Sequence, residues 1–246
     1  MLWNMQKRCL NMNKKSVCII TARGGSKRIP RKNVKEFCGK PIIAYSIEAA
    51  IESNLFDEVM VSTDDEEIAE IAKKYGAVVP FLRSNKNSND FATTKDVLLE
   101  VIEDYETRGK SFKALCCLYP TAPFVTAEKL KEASKLFDKN TDTVLTVTKF
   151  SFPPQRGLIK KKDGFEYWMP ENANTRSQDL TPVFHDAGQF YFCKVSSLET
   201  SSSLLGPITK GYEVPELEVQ DIDNYSDWEI AEVKFNRMRA VHESLT

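Results

Sequence analysis

Between Val17 and Lys149, short apolar runs alternate with segments whose apolar residues recur every three or four positions. This alternation constrains the fold more than any other feature of the chain. Val17–Thr21 reads as a strand, and Pro41–Ser53 carries Ile43, Ile47, Ala50 and Ile51 at helical spacing. Glu58–Thr63 (EVMVST) is β-rich, and Asp64 and Asp65 follow it as N-cap candidates for a helix ending near Gly76. Ala77–Leu82 reads as another strand. Thr93 or Thr94 caps a helix with Val97, Leu98, Val101, Ile102 and Tyr105 on one face. Lys113–Tyr119 (KALCCLY) is nearly all apolar, the pattern of a strand covered on both sides. A helix over Thr126–Asp138 and a strand over Asp142–Lys149 complete the series. Repeated strand–helix units favour a three-layer α/β/α fold around a mostly parallel sheet.

Beyond residue 150 the pattern changes. Ser151–Asn172 holds two short strand-like pieces around KKKDG, whose Asp-Gly is a hairpin signal. Such a hairpin is marginal alone, so Phe152, Leu158, Phe165, Tyr167 and Trp168 need another surface, and a second copy of the chain can supply it. The sheet resumes at Gln189–Val195, and a last helix near Ser226–Val241 puts Trp228, Ala231, Phe235 and Met238 on one side. The expected organisation is a flexible leader (1–14), one domain over 15–246, and a dimerisation arm at about 151–188. The leader has no apolar stretch of signal or membrane-spanning kind, and Met5 and Met12 are further candidate starts. None of Cys9, Cys18, Cys38, Cys116, Cys117 and Cys193 forms a C-x-x-C pair, which points to reduced thiols in a soluble cytoplasmic protein.

With 34 basic and 35 acidic residues, the chain lacks the overall charge of a nucleic-acid or membrane binder. Its local excess is therefore informative. Arg23–Lys40 holds seven cations (Arg23, Lys27, Arg28, Arg31, Lys32, Lys35, Lys40) against Glu36 alone, a net +6. Within it TARGGSKRIPRKN leaves the first strand. Gly24 and Gly25 allow a tight turn whose amides converge on an anion, and Ser26 adds a hydroxyl. Lys27 and Lys32 supply point charges, while Arg23 or Arg28 can chelate two oxygens. The spelling is neither G-x-x-x-x-G-K-[ST] nor G-x-G-x-x-G, which excludes the two common phosphate loops.

TARGGSKRIPRKN resembles the A-R-x-G-S-K-x-x-x-x-K-N signature of the CMP-sialic acid synthetase (acylneuraminate cytidylyltransferase) family. GKPIIAYSIEAA, VSTDDEEIAEIAKKYGA, FLRS, LYPTAPF, TRSQDL, HDAGQFYF and QDID extend the resemblance from Ser16 to about Ala240. Tyr119, in place of a family glutamine, and DAGQFYF resemble the branch that activates pseudaminic acid; the sialic and legionaminic acid branches stay open. The resemblance implies a Rossmann-like, glycosyltransferase-A-like nucleotidyltransferase sheet. It also implies attack by an acidic nonulosonic sugar's anomeric hydroxyl on the α-phosphorus of CTP. Arg23, Lys27 and Lys32 would be the catalytic cations. Ala22, Arg23, Gly24, Gly25, Ser26, Lys27, Lys32, Asn33 and Arg83 would bind the nucleotide.

Arg176, Tyr119, Gln189 and Phe190 would meet the sugar, although core packing is an equal reading for Tyr119 and Phe190. Asp221 and Asp223 of QDID, placed two apart so that both point one way, would hold Mg²⁺ or another divalent cation. Their plainer reading is a cap for the last helix, as it is for Asp64 and Asp65 at theirs. No clear general base stands out, so magnesium is the expected activator of the sugar hydroxyl. His185 can line the sugar pocket, while His242 belongs to the solvated tail. The alternatives are an enzyme activating the eight-carbon acid KDO, a sugar-1-phosphate nucleotidyltransferase, and an inactive nucleotide-binding module. The last would bind CTP tightly without turnover.

Overall fold

The computed structural model describes residues 15–243, so the leader and the last three residues lie outside the described set. In chain order the elements are β1 (Ser16–Thr21), β2 (Glu36–Phe37), β3 (Lys40–Pro41), α1 (Ile42–Ser53), β4 (Glu58–Ser62), α2 (Glu66–Lys74), α3 (Thr94–Thr107) and β5 (Ala114–Leu118). There follow α4 (Ala127–Ser134), β6 (Thr143–Lys149), β7 (Leu158–Lys161), β8 (Gly164–Tyr167), β9 (Phe184–Lys194), α5 (Val195–Thr200), β10 (Thr209–Glu213) and α6 (Tyr225–Glu243). Six strands form the main sheet in the order β10-β6-β9-β5-β1-β4. β4, β1 and β5 run parallel, β10 runs parallel to β6, and β9 is antiparallel to both neighbours.

The continuous apolar runs occupy the sheet centre because each strand there is covered twice. Cys18, Ile20, Cys116 and Leu118 face Ile43 and Ile47 of α1, Ile68 of α2 and Leu130 of α4. Val17, Ile19, Leu115 and Cys117 face Leu98, Val101 and Ile102 of α3 and Leu198 of α5. α6 builds a third cluster: Trp228, Ala231 and Phe235 pack on Phe37, Ile42, Phe124 and Ile222. This cluster fixes the chain just before α6 against the loop after β1. The buried thiols Cys18, Cys116, Cys117 and Cys193 are free core side chains.

Several boundaries differ from the sequence reading. Ala77–Leu82 makes a single parallel bridge, Val78 to Met60, at the sheet edge; Pro80 cannot donate to a ladder. The helix expected over Thr126–Asp138 stops at Ser134 and gives way to turns. β9 begins at Phe184, earlier than the expected Gln189, and the short β10 and α5 were not anticipated. The Asp-Gly hairpin is present as β7–β8, with Lys161 paired to Gly164. Every residue of both strands is exposed, and Phe152, Phe165 and Trp168 remain 88%, 68% and 55% accessible.

Candidate active site

Parallel strands β4, β1 and β5 all end at one edge of the sheet, where an open α/β fold forms its crevice. The basic loop leaves β1 at this edge. A cleft of about 420 Å³ lies against it, lined by Arg23, Ser26, Lys27, Arg28, Lys32 and Asn33, with Asp90, Pro120 and Thr121 opposite. A smaller recess of about 220 Å³ shares Thr21, Arg23 and Asp90 with it and adds Arg83, Asn87, Asn89 and Thr94. A third cleft, of about 400 Å³, shares Thr121 and is lined by Tyr119, Thr148, His185, Asp186, Gly188, Asp221 and Lys234. The three hollows thus form one trough centred on the phosphate-type loop. A larger groove of about 860 Å³ runs between Leu82–Ala92 and α3, but Asp96, Glu100, Glu103 and Asp104 make it a poor place for a triphosphate.

The loop's amides do not form the expected three-donor concavity. Gly24 N–H donates to Asp64 Oδ1 (2.9 Å) and Ser26 N–H to the Gly24 carbonyl (3.0 Å). Among the described residues only the Gly25 amide of these three stays without a partner, so side-chain cations carry most of the anion-binding capacity. A β-carbon on Gly24 would lie 2.7 Å from Asp65 Oδ2, which is why glycine stands there; no such crowding constrains Gly25. Asn33 is buried and its Nδ2 donates to the Arg23 carbonyl (2.9 Å), so it braces the loop from inside. Ala22 is fully buried, with its N–H on the Ser62 carbonyl. It lines none of the three hollows, so the nucleotide contact expected of Ala22 from sequence is not made: the residue closes the end of β1 from inside.

Arg83 is also buried. Its Nε donates to Ser62 Oγ (3.0 Å) and an Nη to the Ser62 carbonyl (2.5 Å), and burial pulls its pKa below the ordinary arginine value. It still lines the recess, as the floor rather than as a mobile arm.

The cations are paired with carboxylates from other segments. Asp90 accepts from Arg23 (2.8 Å) and Lys27 (2.6 Å), and these bonds hold its carboxyl below the usual range. Arg28 pairs with Asp223 at 2.6 Å. Lys32 donates to the Ile222 carbonyl at 2.6 Å, and burial lowers its pKa against the opposing pull of Asp223 and Asp221. The basic loop is therefore tied to QDID at two points.

QDID is an irregular segment rather than a strand, yet the expected alternation survives. Ile222 is buried against α6, and Asp221 and Asp223 flank it. The two carboxylates are close enough that burial, then Asp223, raises the pKa of Asp221. They are not the cap of the last helix. Asn224 Oδ1 accepts from the Asp227 amide (3.0 Å), while Asp227 Oδ2 takes the amides of Asp223 and Asn224 (2.9 and 3.0 Å). Asp65 does cap its helix, accepting from the Ile68 amide (3.0 Å).

Three residues assigned to the sugar from sequence do not line the third cleft. Phe190 is fully buried beside Phe192 and Tyr212, because its strand position faces the α1–α4 layer. Gln189 is buried with its Nε2 on the Glu218 carbonyl (2.6 Å), so it anchors the segment leading to Asp221. Arg176 sits exposed on the arm and lines none of the three hollows. Tyr119 does line the cleft, partly withdrawn: its hydroxyl is 3.4 Å from Thr94 Oγ1 and its ring meets Tyr191 edge-on at 5.7 Å. His185 lines it too, its ring tilted against that of Phe150 with centroids 4.7 Å apart, while the side chain of His242 lies outside the described set.

Comparison with known proteins matches the chain to a family. The cytidylyltransferase family model matches residues 17–192. The chain belongs to the cytidylyltransferase family. It is 42% identical over 232 residues to the pseudaminic acid cytidylyltransferase of Campylobacter jejuni, covering 94% of this chain and 99% of the relative. It is 30% identical to the CMP-N,N'-diacetyllegionaminic acid synthase of Legionella pneumophila, covering 88% and 94%. Among solved structures, CMP:2-keto-3-deoxy-manno-octonic acid synthetase complexed with CTP shares the fold, with a TM-score of 0.67 at 18% identity over 91% of this chain and 99% of that one.

The three hollows of this cytidylyltransferase are also lined by residues that the sequence reading passed over: Asp90, Asn87, Asn89, Asp186, Thr148 and Lys234. Asp186 accepts from the Tyr191 hydroxyl (2.5 Å) and the Gly188 amide (2.8 Å), and Gly188 adopts a left-handed turn (φ 62°) that few other residues would tolerate. Lys234 donates to the Val219 carbonyl at 2.7 Å. Only folding brings these residues to the hollows, and Lys234 comes from α6, far along the chain from Thr148 and Asp186 in the same cleft.

Proposed function

We propose that this cytidylyltransferase transfers CMP from CTP to the anomeric hydroxyl of pseudaminic acid and releases pyrophosphate. The 42% identity to a pseudaminic acid cytidylyltransferase across nearly both full lengths is the observation that carries this reading over the sialic and legionaminic alternatives. The continuous trough gives it a place. The recess beside Arg83 and Asn87 takes the nucleoside, the basic cleft the triphosphate, and the Tyr119–Asp186 cleft the sugar.

In the reaction the anomeric hydroxyl gives up its proton to solvent, and an O–P bond forms between its oxygen and the α-phosphorus as the bond from that phosphorus to the oxygen bridging to the β-phosphate breaks, so that pyrophosphate leaves. Arg23 and Lys27 neutralise charge on the departing pyrophosphate, and Lys32 sits between the loop and QDID at the reacting end. Holding both substrates in one trough supplies most of the remaining advantage through orientation.

The donor set at QDID suits magnesium. Among the described residues no group of three or more His, Cys, Asp and Glu side chains is placed to hold a metal. Mg²⁺ asks for less: one or two carboxylates, with substrate phosphate oxygens and water completing the octahedron. Asp221, whose pKa is raised by burial and then by Asp223, and Asp223 beside it are the carboxylates this reading assigns to the cation. Bound there, the cation would neutralise developing phosphate charge.

The exposed aromatic residues of the β7–β8 arm support a homodimer in which a second copy covers them. Work in the cytoplasm is part of this proposal; among the described residues no helix is long and apolar enough to cross a membrane. Pyrophosphate release measured with CTP, magnesium and pseudaminic acid tests the proposal, and preference for N-acetylneuraminic acid would move it to the sialic branch.

A further inference from the structure

Arg31 occupies a left-handed conformation (φ 57°, ψ 28°) immediately before the helical turn that carries Lys32 and Asn33. A non-glycine residue held there signals something that fixes it. Its guanidinium makes a two-pronged contact with Asp65, Nη1 to Oδ2 at 2.5 Å and Nη2 to Oδ1 at 3.0 Å, and Nη2 also donates to Glu67. Asp65 in turn caps α2 through the Ile68 amide. Its neighbour Asp64 takes the Gly24 amide, and Gly24 packs so tightly on Asp65 that no side chain fits between them. The start of α2 thus holds the loop at both ends: at Gly24, before Lys27, and at Arg31, before Lys32. Neither Arg31 nor Asp65 lines the nucleoside, triphosphate or sugar hollows.

We propose that Arg31 and Asp65 are positioning residues that set the spacing of Lys27 and Lys32 for CTP, acting through the loop backbone without touching substrate. The inference rests on the loop being the CTP grip. An Arg–carboxylate fork fixes direction as well as distance, which a lysine or a single hydrogen bond would not do. Because both partners are partly solvated, the pair adds little to global stability. Its consequence is local, at the two lysines.

Two substitutions separate this role from plainer ones. Arg31→Gly keeps the left-handed turn at no conformational cost and removes only the fork. Asp65→Ser keeps an oxygen for the Ile68 amide and removes the partner of Arg31. Each is expected to weaken CTP binding and to lower kcat/KM for CTP by about tenfold to a hundredfold through loop displacement. The KM for the sugar should stay within about twofold, because its cleft is built from β9 and the segment before α6, and Tm should stay within about 3 °C of wild type. The double variant should be no worse than the poorer single, the mark of two residues acting as one unit.

Singles within about twofold of wild type, additive losses in the double, or losses that follow a fall in Tm would each overturn the proposal. If Arg31→Gly is poorly folded, Arg31→Asn, which also tolerates the turn, is read by the same criteria. Binding of CTP by the unmodified chain is measured first. No binding there would remove the functional reading and this inference with it. Normal binding with unaffected variants would remove the inference alone.

Discussion

Asp90 is the sharpest place to perturb the site, because replacing it should improve binding. Its carboxylate lies 2.8 Å from Arg23 and 2.6 Å from Lys27, the two cations the proposal assigns to the triphosphate. On that proposal CTP has to displace it from both cations before they can grip the triphosphate. Asp90→Asn keeps the shape and removes the charge. The two pairs are solvent-exposed, with about two-fifths to four-fifths of each side chain accessible. Exposed pairs of this kind are individually weak, so releasing both cations is expected to tighten CTP binding by about two- to thirtyfold. Calorimetric titration of CTP into wild type and Asp90→Asn, without sugar, reads this directly. The difference should shrink as salt rises from about 0.1 M, where screening acts over roughly 10 Å, to about 1 M, where it acts over roughly 3 Å. Weaker binding by the variant would refute the reasoning and make Asp90 a ligand of the nucleotide. An improvement that ignores salt would refute the electrostatic cause.

Other consequences follow from the same geometry. Phe190→Ala empties a fully buried site and should cost about 3–5 kcal/mol, a fall in Tm of roughly 6–20 °C, with the sugar KM within about twofold; a raised KM at unchanged Tm would return Phe190 to the sugar cleft. Asp223→Asn should reduce magnesium-dependent turnover by at least about a hundredfold while metal-free CTP binding changes little, and near wild-type activity would refute the metal site. Arg31 holds the Asp65 carboxyl below its ordinary pKa, so its charge stabilises the fold above the unfolded value of about 4 and ceases to do so as pH falls through the lower folded value. The Tm difference between wild type and Asp65→Ser should therefore be largest above about pH 5 and shrink in acid, as thermal melts across pH will show. Burial pushes the thiols of Cys116, Cys117 and Cys193 upward, the last to about 12, so peptide mapping after alkylation of the native protein at pH 8 should find these three unmodified.

The layers of the fold were legible because KALCCLY and the helical periodicities are consequences of burial, which sequence records directly. β10 and α5 were not: TKGYE alternates between half-buried and exposed residues at a sheet edge, and Val195–Thr200 is too short to show a period. The basic loop and QDID were legible as charge and spacing. The partners of those charges were not, since Asp90 lies 63 residues from Lys27 and Asp223 lies 195 from Arg28. Phe190 shows the limit from the other side. Its motif suggested the sugar, and only the strand's register showed that its side chain points into the α1–α4 layer. Asp64 and Asp65 read as a helix cap, correctly for Asp65, but sequence held no sign that the same pair also clamps Gly24 and Arg31.

Pyrophosphate release across nucleotides and nonulosonic acids tests the central claim most directly. Turnover should require CTP, a divalent cation and pseudaminic acid together, with ATP and UTP inactive and N-acetylneuraminic acid a poor substrate. Equal turnover with ATP or UTP, or tight CTP binding without turnover on any nonulosonic acid, would contradict it.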